Sequence, residues 1–208
     1  NAWGSLTYPL WEQIRDHAES FSSAFAFSSD NLPIGQPSER RRARTIWLSG
    51  EAFPALDVHP LRGRLFTTAD DRPGCADTAV ISYGFWQRQF GGQDSAIGSR
   101  LDIKEMPFTV IGVTAPEFFG INVGRGFDVA LPMCAVGHFA TRSTGSLTVK
   151  NLFWLGVMGR LKPGLTANDA TRSLDARSAA WFDTTLPDGY SASADSSDRI
   201  PAPELVRT

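Results

Sequence analysis

Leu10, Ile14, Ala18 and Phe21 recur at the spacing of one helical face. Ahead of them stand Thr7, a residue suited to capping, and Pro9, whose missing N–H costs nothing in a first turn. An amphipathic helix is predicted. The period then changes: Phe25 and Phe27 alternate with small residues, and across 40–48 Ala43, Thr45 and Trp47 alternate with Arg44, Ile46 and Leu48. Pro33, Gly35 and Pro37 cluster between the two runs, so the pattern predicts two strands joined by a loop over 31–38. A short helical turn is expected within 51–58, followed by an irregular passage through Pro60, Gly63, Asp70, Asp71, Pro73 and Gly74.

Residues 78–81 form a brief β-prone run, Ser82 is a fair helix cap, and Phe85, Trp86, Gln89 and Phe90 follow before Gly91 supplies a left-handed stop. The segment ISYGFWQRQFGG (81–92) is therefore architectural, with Phe85, Trp86 and Phe90 expected to be buried and to hold a two-turn helix to a sheet. Residues 100–103 and 108–113 read as a hairpin about Lys104-Glu105-Met106-Pro107. A Pro/Gly-rich loop over 115–126 precedes a short strand at 129–131. After a polar linker at 141–146, a β-prone run over 153–161 ends at Lys162-Pro163-Gly164. The last helix starts at Thr166 with Asp169 three residues on, the acidic form of a capping box. It presents Ala170, Leu174, Arg177 and Trp181 on one face and sets Leu165 for a hydrophobic staple.

The order helix, strand, strand, middle segment, strand, helix predicts an α+β protein of two subdomains. The outer one comprises 3–59 with 137–187, the inserted one 60–136, and 188–208 is a loosely ordered Ser/Asp/Ala-rich tail. No repeat of fixed period is found.

Twenty basic against twenty-two acidic side chains give a net charge of -2, which supplies no polycationic field for nucleic acid. The longest apolar runs fall far short of the ~20 residues that span a bilayer as a helix. Cys75 and Cys134 leave two readings open: a disulfide, which fits an oxidising compartment, or two unpaired buried thiols.

Little reactive chemistry is expected. His17, His59 and His138 form no HxxxH, HxH or HExxH spacing, and solvated or packing roles suit them best. Asp57, Asp70 and Asp71 lack the alternating oxygen ligands and closing glutamate of a calcium loop. The segment GINVGRG (120–126) lacks the Lys and Ser/Thr of a phosphate loop, so its glycines are expected to serve unusual backbone angles. No GxSxG elbow is present. Arg40, Arg41, Arg42 and Arg44 form the one basic cluster. On a strand Arg40, Arg42 and Arg44 share a face, which is either a solvated surface or a docking stripe for an acidic partner.

Four segments in order resemble one family: LTYPLWEQIRD (6–16), LSGEAFPALDVHPLRGRLFTTADD (48–71), AVISYGFWQRQFGG (79–92) and PFTVIGVTAPEFFG (107–120). They are similar to the MacB-like periplasmic core domain of ABC transporter permeases. The resemblance implies a porter-like α/β sandwich with a smaller inserted subdomain, lying in the periplasm between two membrane helices of a full-length inner-membrane protein. It implies a non-catalytic domain, with no cofactor and no metal, that binds cargo or a partner and transmits conformational change. The implied partners are an ABC ATPase subunit acting through the membrane part, a periplasmic adaptor, and a second copy in a full-length homodimer; nucleic acid is not among them. Two rival readings remain: a free-standing extracytoplasmic enzyme using His59, Asp70 and Asp71, and an adhesion or scaffold domain.

Overall fold

The computed structural model describes residues 6–185 apart from 73, 123 and 140–146, so the expected linker at 141–146 and the tail at 188–208 lie outside the described residues. The elements are α1 (Tyr8–His17), β1 (Phe21–Ile34), β2 (Arg41–Leu48), α2 (Ala52–Ala55), β3 (Pro60–Gly63), β4 (Thr78–Ile81), α3 (Tyr83–Phe90), β5 (Arg100–Ile103), β6 (Met106–Thr114), β7 (Val129–Pro132), β8 (Gly156–Leu161) and α4 (Ala167–Thr185).

Local signals position the helix ends. Thr7 caps α1, its Oγ1 accepting from the Leu10 N–H at 3.3 Å, and α1 buries Tyr8, Leu10, Trp11 and Ile14. Phe21, expected on that helical face, instead opens β1 after a turn at Ala18. Ser82 Oγ accepts from the Phe85 N–H at 3.1 Å, and Gly91 ends α3 in the left-handed region at φ 58°. Thr166 and Asp169 form the capping box of α4 in both directions: Asp169 Oδ2 accepts from Thr166 N at 2.8 Å, and Thr166 Oγ1 accepts from Asp169 N at 3.3 Å. Leu165 remains 39% exposed.

The strands form one mixed sheet of eight, in the order β2-β7-β4-β6-β5-β1-β8 with β3 on β6. β1 also pairs with β2, so the path β1-β2-β7-β4-β6-β5 returns to β1 through the Ile34–Ile103 pair. Strands from residues 3–59 and 60–136 are thus hydrogen-bonded side by side: β7 runs parallel to β2, pairing Thr45 with Val129 and Leu48 with Pro132.

Two departures from the sequence pattern have local causes. β1 continues through Pro33, expected in the loop, because the register opposite Arg42 tolerates a residue without an N–H while its carbonyl accepts from Lys104 N at 2.9 Å. The hairpin turn narrows to Lys104 and Glu105, both at positive φ, so β6 begins at Met106. β3 is a short strand in what reads as irregular sequence.

Alternate residues of the strands feed two apolar clusters. Ala43 and Trp47 of β2 and Ala79 and Ile81 of β4 join Trp11, Phe85, Trp86, Phe108 and Trp181. Ile46, Leu48 and Val80 join Phe25, Phe53, Phe66 and Phe127 on the other side. Phe53 and Phe66 are fully buried with ring centroids 4.7 Å apart, each worth about 2–3 kcal/mol in transfer from water. Phe90 is only half-buried, against the expectation for α3, and meets Phe85 edge-on at 6.5 Å. Cys75 and Cys134 are joined as a disulfide, which ties the passage before β4 to the 3-10 segment Met133–Phe139.

Candidate partner-docking surface

The arginine cluster meets the sheet where β2 begins. Arg40 precedes the strand and pairs with Glu105 of the hairpin turn. Arg42 and Arg44 alternate with Ala43 and so share the face of Ile46 and Leu48; Arg42 Nη2 donates to the Asn31 carbonyl at 2.9 Å. The structure therefore brings Arg42 and Arg44 onto one face, leaves Arg41 on the opposite one, and sets Arg40 apart at the turn.

Arg44 leads to Asp128, at the end of the loop before β7. The Asp128 carboxylate accepts from Arg44 N at 2.9 Å, Arg44 Nε at 3.3 Å and Arg44 Nη2 at 3.1 Å. Arg88 of α3 adds Nη2 at 2.7 Å to the same Oδ1 that Arg44 Nη2 meets. Burial alone would raise the Asp128 carboxyl, but the hydrogen bonds from the Arg44 side chain and backbone outweigh it and hold it below the usual carboxylate range. The same side-chain bond to Asp128 raises Arg44. Both guanidinium groups stay more than half exposed while Asp128 is 10% exposed, so one buried anion organises two solvent-facing cations.

Beside them the loop before β7 curls round an open cavity of about 570 Å³ lined by Glu117, Phe119, Ile121, Asn122 and Arg125 among others. Gly120 sits at φ 117°, as expected for the glycine-rich segment, and lets the chain pass against Phe127. The loop is held down: Asn122 Nδ2 donates to Ser29 Oγ at 3.1 Å, and Arg125 N donates to the Asn122 carbonyl at 3.0 Å. Of the two rings in EFFG, Phe118 packs on Phe53 and Phe127, whereas Phe119 is 73% exposed. Gly126 lies against the Arg44 guanidinium, which joins the loop to the arginine face.

The other candidates are dispersed. His17 is exposed, His59 stands 3.5 Å from exposed Asp57, and His138 Nδ1 lies 2.5 Å from Asp77 Oδ1. Asp70 makes a forked pair with Arg64 at 2.8 and 2.9 Å. Asp71 instead accepts from Gly50 N at 2.9 Å and Cys134 N at 2.7 Å, and burial raises its carboxyl. His59, Asp70 and Asp71 are thus each engaged with different partners. Among the described residues no three His, Cys, Asp or Glu side chains gather to hold a metal, and no helix is long and apolar enough to cross a membrane.

Arg88, Asp128 and Phe119 were not foreseen from the sequence. Arg88 lies within a segment whose aromatic pattern speaks of packing, and its partner is 40 residues away. The one available signal was a carboxylate next to a β-run, Asp128 before Val129, at the end of a Gly/Arg loop.

Residues 1–177 match the family model described as "MacB-like periplasmic core domain". Comparison with curated proteins returns no match. Among solved structures the chain is similar to the periplasmic region of MacB from Actinobacillus actinomycetemcomitans, at 15% identity and TM-score 0.65, covering 84% of this chain and 74% of that one. It is also similar to the extracellular domain of the noncanonic ABC-type transporter YknZ from Gram-positive bacteria, at 15% identity and TM-score 0.61, covering 87% and 84%. A domain of a putative permease protein from Porphyromonas gingivalis matches at 17% identity and TM-score 0.63, covering 88% and 79%. At such identities the likeness speaks of the fold.

Proposed function

The chain belongs to the MacB-like periplasmic core domain family, and from that premise we propose that it is the extracytoplasmic relay of an ABC-type permease. It does no covalent chemistry. It binds a partner or cargo and passes conformational change between that partner and the membrane part of the full-length protein, where an ABC ATPase subunit acts. The outer unit of 3–59 and 137–187 carries the helices that lead to and from the membrane together with Arg42 and Arg44, and the inserted 60–136 adds Arg88, Arg125 and the Phe119 loop to the same docking face.

One observation carries this reading: α1 and α4 pack against each other, and Arg177 of α4 meets Glu19 just beyond α1 at 3.1 Å. The first and last described helices therefore form one seat, and β1, which follows α1 directly, pairs with both β2 and β8. A push on either helix reaches the sheet that holds Arg44. Rigid, packed elements transmit displacement because a core at crystal-like density has nowhere to absorb it.

The placement is tested in cells. A Gln87→Cys variant of the full-length protein offers an exposed thiol on α3, while Cys75 and Cys134 of this domain are bonded to each other and the same protein without the substitution is the control. A membrane-impermeant maleimide is expected to label it in intact spheroplasts. Labelling only after the inner membrane is broken would overturn the reading.

A further inference from the structure

We infer that the face built from Arg44, Arg88, Arg125 and the Phe119 loop seats an acidic segment of a partner protein. An apolar side chain of that segment enters the loop cavity, and its flanking carboxylates meet the guanidinium groups. This rests on the docking role proposed above and adds the chemistry of the occupant.

Charge is the first argument. Two arginines share the single carboxylate of Asp128, which leaves one positive charge in excess. Arg125 is exposed, lines the cavity, and has no ion pair with any described residue. Arg42, on the same sheet face as Arg44, meets only a carbonyl oxygen among the described residues. The chain as a whole carries -2, so this local excess of cations is not a general property of its surface. Glu117 also lines the cavity, which places the occupant's carboxylates toward Arg44 and Arg125. Complementary charge of this kind orients an incoming partner and speeds its arrival.

Shape is the second argument. Phe119 is the most exposed large hydrophobic side chain among the described residues, at 73% against 39% for Leu165 and 37% for Phe153. Its neighbour Phe118 is anchored on Phe53 at 6.0 Å and on Phe127 at 5.5 Å, so the loop that presents Phe119 is fixed from beneath. The Asn122–Ser29 bond fixes it from the side. A pre-ordered aromatic beside a concavity, rimmed by arginine, is the composition that dominates protein-protein recognition. A concave site of about 570 Å³ suits a side chain better than the flat surface of a bilayer.

Fluorescence anisotropy on the purified 208-residue chain tests this. The probe is a fluorescein-labelled peptide with Leu-Phe set between Asp-Glu pairs. The controls are the same peptide with Asn-Gln in place of Asp-Glu, and vesicles of phosphatidylglycerol. Phe119→Ser and Arg125→Glu are the variants, because both side chains are exposed and neither bears on the core. Saturable binding of the acidic peptide is expected, about tenfold weaker in each variant and at least that much weaker for the amide peptide. Binding should also fall as salt is raised. Equal binding of acidic and amide peptides, or wild-type affinity in both variants, would overturn the proposal. So would vesicle binding abolished by the two variants with no peptide binding, which would make this a membrane-facing patch. No saturable binding of the acidic peptide by the wild-type chain, with partner-stimulated ATP hydrolysis of the full-length permease still dependent on the α1–α4 contact, would overturn the occupant while leaving the relay standing.

Discussion

Arg44 grips Asp128 through its backbone N–H, its Nε and its Nη2, at 2.9, 3.3 and 3.1 Å. A side chain that is 10% exposed thereby fixes the direction of one that is 54% exposed, and the register of β2 is locked to the start of β7. Asp128→Ala is expected to cost about 1–3 kcal/mol, because the part-buried Arg44 N–H loses its acceptor and two guanidinium groups lose their common anion. A urea midpoint unchanged in that variant would contradict the arrangement.

Acid should act on two carboxylates with opposite sign. The Asp128 carboxyl lies below its unfolded value of about 3.9, so the stability it contributes is complete above about pH 4 and is lost as pH falls through its folded value. Asp71 is the reverse case: burial first, and then the nearby Glu51 charge, raise its carboxyl despite the bonds from Cys134 N and Gly50 N. Ionised Asp71 therefore costs stability at neutral pH, and that cost is relieved as pH falls through its folded value. Urea midpoints across pH 3–7 should show Asp128→Asn flattening the acid loss, whereas Asp71→Asn removes a gain on mild acidification. The same slope in wild type and both variants would contradict these assignments.

The Cys75–Cys134 bond closes a loop whose ends are 59 residues apart. Its loss in a Cys75→Ser/Cys134→Ser double variant is expected to cost about 2–4 kcal/mol, chiefly by freeing the unfolded chain. The Cys134 segment keeps two other ties, Asp71 to Cys134 N and Asp77 to His138, so the variant should retain its fold in near-ultraviolet circular dichroism. An unfolded double variant at 25 °C would show that those ties count for little.

Packing predictions separate two rings of α3. Phe85 is 3% exposed, and its replacement by Ala should cost about 3–5 kcal/mol. Half-buried Phe90 should cost about 1–2 kcal/mol, which corrects the value that full burial would have given. Gly112 is stricter than either. A Cβ there would stand 1.9 Å from the Arg64 carbonyl oxygen, a backbone atom of a residue whose N–H is bonded to the Ile111 carbonyl at 2.9 Å, so Gly112→Ala is expected to cost about 3 kcal/mol. Equal losses at Phe85 and Phe90, or a neutral Gly112→Ala, would contradict the packing.

Much of this architecture is legible in short windows of sequence. Thr7, Ser82, Gly91 and the Thr166–Asp169 pair signal helix ends through chemistry confined to four residues, and the structure uses each of them so. Alternation across 40–48 marks β2 because one face must meet each apolar cluster. What short windows hide are relationships set by distant chain. Pro33 reads as a breaker until β2 and the Lys104 N–H stand beside it, and β3 is defined by its pairing with β6. The cysteines gave two readings, and only the approach of the Met133–Phe139 segment decides between them. The proposed docking face is the extreme case: the Arg44 cluster is visible in sequence, but its organiser lies 84 residues on and its second arginine sits in a helix whose pattern speaks of packing.

The proposal that motion passes through the paired helices α1 and α4 is tested most directly in the full-length permease, reconstituted with its ATPase, carrying Arg177→Glu, which sets two acidic side chains against each other at the 3.1 Å contact. Loosening the pair is expected to lower partner-stimulated ATP hydrolysis about threefold or more, leaving basal hydrolysis unaffected, and Glu19→Arg in the same protein is expected to restore it. Full stimulation in the Arg177→Glu protein would contradict the relay.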